Sequence, residues 1–352
     1  MKRIFFLIIL ALGIISCEKE DEYLPPDHFN YPIPQTDITE NVNVGALYYN
    51  YSQTDWGKKY TNTPSLGEYS ALDANIMAQH RKWADAGRID YFVFAWNGSA
   101  DNGVLNSFST NRTEQVKMVI NFNTAHLKAT NSSPLTGAKL VTMIDELKTL
   151  VTNYIGKDFY FSYNNRPVII IKPINLSSSL ASSIDFSTVI PAIRAELSSI
   201  GINAYIIGEI TSGWLPPQRY TTAIKAFDAV TLTDWRASGN YGYDRAVFFQ
   251  SFTDQAFKNW KDSTTVWGVD FIPCIVPGFD DKVMTPSSNV FNLERSVSFF
   301  TDMTNVAKRN MSGSRVVLIN SWNDFQLGTS IEPTEEYGED FLNVAKEQFK
   351  IR

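Results

Sequence analysis

Eight short runs rich in Val, Ile, Phe and Tyr alternate along this chain with longer stretches of helical period. The runs are 44–50, 89–96, 116–122, 167–172, 203–209, 228–233, 269–276 and 314–321. The helical stretches are 70–86, 136–154, 184–200, 216–226, 244–262, 292–309 and 338–349, and 98–114 reads as loop. In the first of them Ile76, His80 and Trp83 follow an i, i+4, i+7 spacing, and Gly87 supplies a stop. Eight β-then-α units in 352 residues predict a (β/α)8 TIM barrel. An open doubly wound sheet would carry a glycine-rich phosphate loop after its first strand. Tyr48-Tyr49-Asn50-Tyr51-Ser52 stands there instead.

The N-terminus is of a different kind. Lys2 and Arg3 precede an apolar run from Ile4 to Ile15, too short to span a bilayer comfortably, so residues 1–16 read as an export signal. The run ends Ile14-Ile15-Ser16-Cys17, which resembles a bacterial lipobox. That resemblance implies cleavage before Cys17 and acylation of its thiol. The acidic stretch Glu18-Lys19-Glu20-Asp21-Glu22 resembles the surface-export signal of Bacteroidetes lipoproteins, and a plain solvated tether explains it equally well. Residues 17–42, with Pro25, Pro26, Pro32 and Pro34, read as a flexible spacer ahead of a barrel over 43–352. With Cys17 carrying lipid, Cys274 has no partner for a disulfide, and its apolar run makes it a small core residue.

Composition narrows the function. The net charge of −6, with no basic run, argues against nucleic acid. Three histidines, at 28, 80 and 126, leave little room for a His-based metal site, so neither metal nor other cofactor is expected. Sixteen Tyr and eight Trp exceed what a core needs and suit stacking against sugar rings.

In a barrel of this kind, chemistry sits at the C-terminal ends of the strands. Polar and aromatic residues collect there: Tyr48, Tyr49 and Asn50; Trp96 and Asn97; Asn121 and Asn123; Lys172; Glu209; Asp234 and Trp235; Asp280 and Asp281; and Trp322, Asn323 and Asp324. For any one of them a cap or loop hydrogen bond is the plainer explanation. As a set they describe a polar bowl with aromatic walls and several carboxyl groups. Cleavage of a glycosidic bond requires two such groups facing each other. Asp324 has the best setting, beside an amide and an indole in Trp322-Asn323-Asp324. Glu209, Asp234 and Glu332 are the other candidates. Tyr48, Tyr49, Trp96, Trp235, Trp322 and Asn323 are the expected substrate contacts.

Residues 321–333, Ser-Trp-Asn-Asp-Phe-Gln-Leu-Gly-Thr-Ser-Ile-Glu-Pro, followed by Tyr337-Gly338, resemble the signature of endo-α-mannosidase-like glycosidases, glycoside hydrolase family 99 and the related family 71. Other stretches agree in order: Val44 to Tyr49, Pro64 to Gly98, Asn165 to Val168, and Val276 to Asp280. The resemblance implies a TIM barrel that hydrolyses α-linked glycans. It also implies two acids three residues apart in that signature. The first maps to Asp324 and the second to Leu327, which cannot titrate.

Two readings remain open. One is a cell-surface glycoside hydrolase whose second carboxyl comes from Glu209, Asp234 or Glu332. The other is a glycan-binding barrel without hydrolysis. The expected partners are a glycan and, through Cys17, the outer membrane; the expected state is a monomer. Replacing Cys17→Ser is expected to release the protein from the membrane fraction. Retention of that variant in the pellet after a high-salt wash would refute the anchor.

Overall fold

A computed structural model describes residues 28–172, 183–210, 213–233 and 247–351. Cys17, the export signal, Asp234 and Trp235 lie outside the described residues. Strands β1 (Asn43–Tyr48), β2 (Tyr91–Trp96), β3 (Lys117–Asn123), β4 (Arg166–Lys172), β5 (Tyr205–Glu209) and β6 (Ala229–Thr231) pair parallel in chain order. Strand β7 comes in two pieces, Asp270–Ile272 and Cys274–Ile275, and β8 is Val316–Ile319. The first piece of β7 pairs with β6, the second with β8, and β8 pairs with β1. The interruption is Pro273, which has no N–H to give the ladder. Its carbonyl still accepts from Leu318, at 2.9 Å. The expected (β/α)8 barrel is therefore what the chain forms, closed through a strand bent at a proline.

The crossovers are α1 (Ala74–Ala86), α2 (Asn102–Ser109), α3 (Gly137–Asn153), α4 (Phe186–Ser199), α5 (Thr221–Ile224), α6 (Phe249–Trp267), α7 (Val297–Asn310) and α8 (Asp340–Phe349). Capping residues fix several starts: Asp73, Asp185 and Ser296 accept backbone N–H groups at the heads of α1, α4 and α7. Gly87 does end α1, although the left-handed position is the next residue, Arg88, with φ 54°. Helix α2 falls where a loop was expected. It has only eight residues and includes a glycine, but Val104, Leu105 and Phe108 bury one face against the strands. Packing decides here what propensity does not.

Alternation along each strand sorts side chains into two cores. Val44, Ala46 and Tyr48, Phe92, Phe94 and Trp96, and Ile120 and Phe122 face the helices. Tyr91, Val93, Val119, Val168, Ile170, Tyr205, Ile207, Cys274 and Leu318 fill the barrel. Tyr91 stacks on Phe161 with ring centroids 4.2 Å apart, closing the lower end. The space for its ring exists because residue 45 is glycine: a Cβ there would lie 2.2 Å from Tyr91 Cε2.

Residues 28–42, assigned above to a flexible spacer, are instead packed along the helical layer. The Phe29 ring meets Trp214 and Phe252, each at 5.5 Å. Tyr31 donates to Asp254 at 3.0 Å, Thr36 N–H to Asn305 at 3.0 Å, and Val42 N–H to the Phe349 carbonyl at 3.0 Å. Prolines made the segment look like a linker, but its aromatics and backbone donors find partners on α6, α7 and α8. Among the described residues, no helix is long and apolar enough to cross a membrane.

Filling residue 45 tests the interior packing. Gly45→Ala is expected to destabilise the fold by roughly 1–3 kcal/mol or more, as overpacking of a rigid core does, read from a lower denaturation midpoint at unchanged m-value.

Candidate active site

The floor of the bowl is built on one carboxylate. Glu209 ends β5 on its inward face and is 0% exposed. It meets Lys172 Nζ from β4 at 2.8 Å, Asn121 Nδ2 from β3 at 2.7 Å, and the Thr233 hydroxyl just beyond β6. Asn320, after β8, donates to the Thr233 carbonyl at 3.3 Å. Every partner offers Glu209 a hydrogen, so its oxygens act as acceptors that organise the floor. The Lys172 side chain keeps 37% of its surface exposed. Beneath, burial and then the Glu209 charge push the Cys274 thiol far up, so it is the inert core residue expected from the sequence.

The wall over β1, β2 and β3 is a chain of amides around one acid. Asn50 donates to Asp101 at 3.2 Å, Asn97 donates to it through N–H and Nδ2 at 2.7 and 3.0 Å, and Asn123 donates to Asn97 at 2.8 Å. Tyr49 is 39% exposed at this edge. Alternating donors and acceptors of this type match the hydroxyls of a sugar.

The loop after β8 carries the third part. The peptide between Asn320 and Ser321 is cis. Asn323 is a clamp: it accepts from Tyr49 N–H at 2.8 Å and donates to the Tyr49 carbonyl and the Tyr69 hydroxyl, both at 3.0 Å. Next to it Asp324 is 4% exposed; its backbone N–H donates to Ser321 Oγ at 2.7 Å and its Oδ1 accepts from Leu327 N–H at 3.1 Å. Burial and then the Asp324 charge hold the Tyr51 phenol well above its usual range. The Tyr51 ring lies 6.4 Å from that of Phe325, the next residue after Asp324.

Several expected contacts lie elsewhere. Tyr48, Trp96 and Trp322 are buried in the layer between strands and helices, not in the bowl. Trp96 donates to Asn102 at 3.0 Å, and the Trp322 ring packs on Phe92 at 4.8 Å. Glu332 is 1% exposed and points into the same layer: Tyr69 donates to its Oε2 at 2.7 Å and His80 Nε2 lies 3.2 Å from Oε1. His80 Nδ1 in turn meets the Tyr48 hydroxyl at 2.9 Å. This buried chain ties the β8 loop to α1. Glu209 stands at the end of β5, and Asp324 and Asn323 stand in the loop after β8, where Asn323 holds Tyr49. Lys172, named among the strand-end residues as the charge ending the run Ile169-Ile170-Ile171, takes a place beside Glu209, and Asp101 is an addition. Asp101 offered no such sign. Among the described residues, no three His, Cys, Asp or Glu side chains are grouped to hold a metal.

Residues 146–345 match a family model described as Glycosyltransferase WbsX. A solved structure called a glycoside hydrolase-like protein is 25% identical, with a TM-score of 0.81 over 93% of this chain and 99% of that one. The family 99 endo-α-mannosidase of Bacteroides thetaiotaomicron shares the fold, at 18% identity and a TM-score of 0.65 over 88% of this chain and 97% of its own. No curated protein matches the sequence.

The buried phenols set an alkaline limit. Burial and then the Glu332 charge hold Tyr48 and Tyr69 well above the ordinary tyrosine value. Their stabilisation is complete below about pH 10, where unfolded tyrosines ionise, and is lost as pH rises beyond it. Denaturation midpoints are expected to fall above pH 10, less steeply in a Tyr48→Phe, Tyr69→Phe double variant. Equal slopes would refute the assignment.

Proposed function

We propose that this chain, which belongs to the family described as Glycosyltransferase WbsX, is an enzyme that breaks a glycosidic bond in a glycan held across the bowl. The observation that carries this is the mouth itself. A buried carboxyl, Asp324, a partly exposed ammonium, Lys172, and an amide-lined wall each lie at or just beyond the C-terminal ends of strands, which supports this reading. The solved relative named as glycoside hydrolase-like, matched over nearly its whole length, supports hydrolysis. The family's description names sugar transfer instead. Both reactions break a bond at an anomeric carbon, and they differ in whether water or a hydroxyl takes the sugar.

In this reading Asp324 is the acid/base. Its backbone and Oδ1 are fixed by Ser321 and Leu327, and Asn323 holds the loop to β1, so the carboxyl is oriented before substrate arrives. Glu209 holds Lys172 and Asn121 in place, and its partners among the described residues are donors, which fits a positioning role. Glu332 supports the loop from behind. Asp234 remains a candidate for the second carboxyl and Trp235 for a substrate contact. The α-linkage implied by the signature, and attachment to the outer membrane through Cys17, belong to the same proposal.

A binding-only barrel is the second reading, favoured by Leu327, which stands where the signature carries its second acid. Product analysis over a panel of α-linked glycans separates the two. Asp324→Asn is expected to cost roughly a hundredfold to ten-thousandfold in rate with little change in stability. Turnover by Asp324→Asn at the wild-type rate would refute the role of Asp324. Glycan binding by the wild type without product at any pH would establish the second reading.

A further inference from the structure

The wall over β2, β3 and β4 has a fixed hydrogen-bond polarity. Alternate side chains of each strand enter the barrel. Val93 fills it from β2, Val119 from β3, and Val168 and Ile170 from β4. The same alternation puts Asn97, just past β2, Asn123, at the end of β3, and Lys172, at the end of β4, on that inner face. Asn123 stands opposite Lys172 in the β3–β4 ladder and donates to Asn97 at 2.8 Å. The three side chains therefore form one arc above the packed interior. All three keep accessible surface: Asn97 is exposed, and Asn123 and Lys172 are partly so.

The two ends of the arc decide which way its amides point. At one end is Asp101, a carboxylate, which only accepts. It meets the Asn97 N–H at 2.7 Å, Asn97 Nδ2 at 3.0 Å and Asn50 Nδ2 at 3.2 Å. Asn97 has to turn its NH2 group toward Asp101 and its oxygen toward Asn123. At the other end is the Ala125 N–H, which only donates, 3.0 Å from Asn123 Oδ1. Asn123 has to turn its oxygen toward Ala125 and its NH2 group toward Asn97. Both ends impose the same direction. Each amide oxygen already accepts a hydrogen, whereas each NH2 group has committed one of its two. Lys172 gives one N–H to Glu209 at 2.8 Å. Among the described residues, the arc has more hydrogens than lone pairs to spare.

A ligand atom suited to this arc is an acceptor, and the local charge narrows its kind. The positive charge of Lys172 is met by Glu209, and Asp101 adds a second negative charge, so an oxyanion finds no net attraction. A hydroxyl uses one donor but needs an acceptor in return. A carbonyl oxygen has two lone pairs, no hydrogen and no charge. On a sugar, that oxygen belongs to an acetamido or O-acetyl group.

We propose that Asn97, Asn123 and Lys172 form a specificity subsite of the bowl that takes the acyl carbonyl of an acetylated sugar, with Asp101 as the positioning residue that sets its polarity. The proposal rests on the glycan reading above and specifies its substrate class: a neutral glycan carrying N- or O-acetyl groups.

Monosaccharides have no glycosidic bond to break, so the test is independent of the Asp324 experiment. Calorimetry on the wild type would compare N-acetylmannosamine with mannose, N-acetylglucosamine with glucose, and 6-O-acetylmannose with mannose. A preference of about tenfold for an acetylated sugar is expected, the worth of one or two hydrogen bonds. Preference confined to the first two pairs identifies an acetamido group, and preference confined to the third identifies an O-acetyl ester. Asn123→Asp still accepts from the Ala125 N–H but has no hydrogen to give. It is expected to abolish the preference while mannose and glucose bind much as before. Asp101→Asn frees the amides to reverse and is expected to reduce the preference without weakening the plain sugars. Three results overturn the proposal. One is equal affinity for acetylated and plain sugars in the wild type. Another is a preference that survives Asn123→Asp. The third is an equal loss for both kinds of sugar in Asp101→Asn, which assigns Asp101 to structure. Absence of binding by every sugar counts against the glycan reading too, whereas lost preference with binding intact removes this proposal alone.

Discussion

A carboxylate with no contact to solvent, met by hydrogen-bond donors from neighbouring strands, holds this end of the barrel together. Glu209 draws Asn121, Lys172 and Thr233 from three other strands toward one point, and Asn320 joins from a fourth through the Thr233 carbonyl. Removing a single donor would leave a buried charge poorly compensated, and such groups are stable only when fully satisfied. The arrangement also explains why a lysine can stand at the mouth without disorder. Its charge is held from below while its outer surface stays available.

The loop after β8 is fixed from the opposite side. Asn323 binds both backbone groups of Tyr49, while Glu332, Tyr69, His80 and Tyr48 form a buried polar chain that links the loop to α1. Asp324 sits between these two anchorages. A carboxyl oriented by its own turn and by two flanking supports has little freedom to lose when a ligand binds, which is the condition for efficient proton transfer.

Strand order and barrel closure were legible because each strand is a compact apolar run and each crossover has helical period. What was not legible is which way the strand-end side chains point. Strands of a barrel are buried on both faces, so the alternation that marks a half-exposed strand is absent. Tyr48 and Trp96 therefore read as bowl residues, although their register turns them to the helices. Trp322 shares that fate. Glu332 was legible as an acid near the mouth, but its partners come from residues 69 and 80, far away in sequence. Helix α2 and the docked segment 28–42 were misread for a similar reason: local composition argued against them, and contacts with distant elements settled the matter.

The Tyr91 ring, seated where residue 45 has no side chain and backed by Phe161, makes the barrel a solid plug and not a tube. The bowl is consequently a dead end. Whatever occupies it enters and departs through one opening, and a long polymer has to lie across the mouth, with traffic in and out contending for the same door.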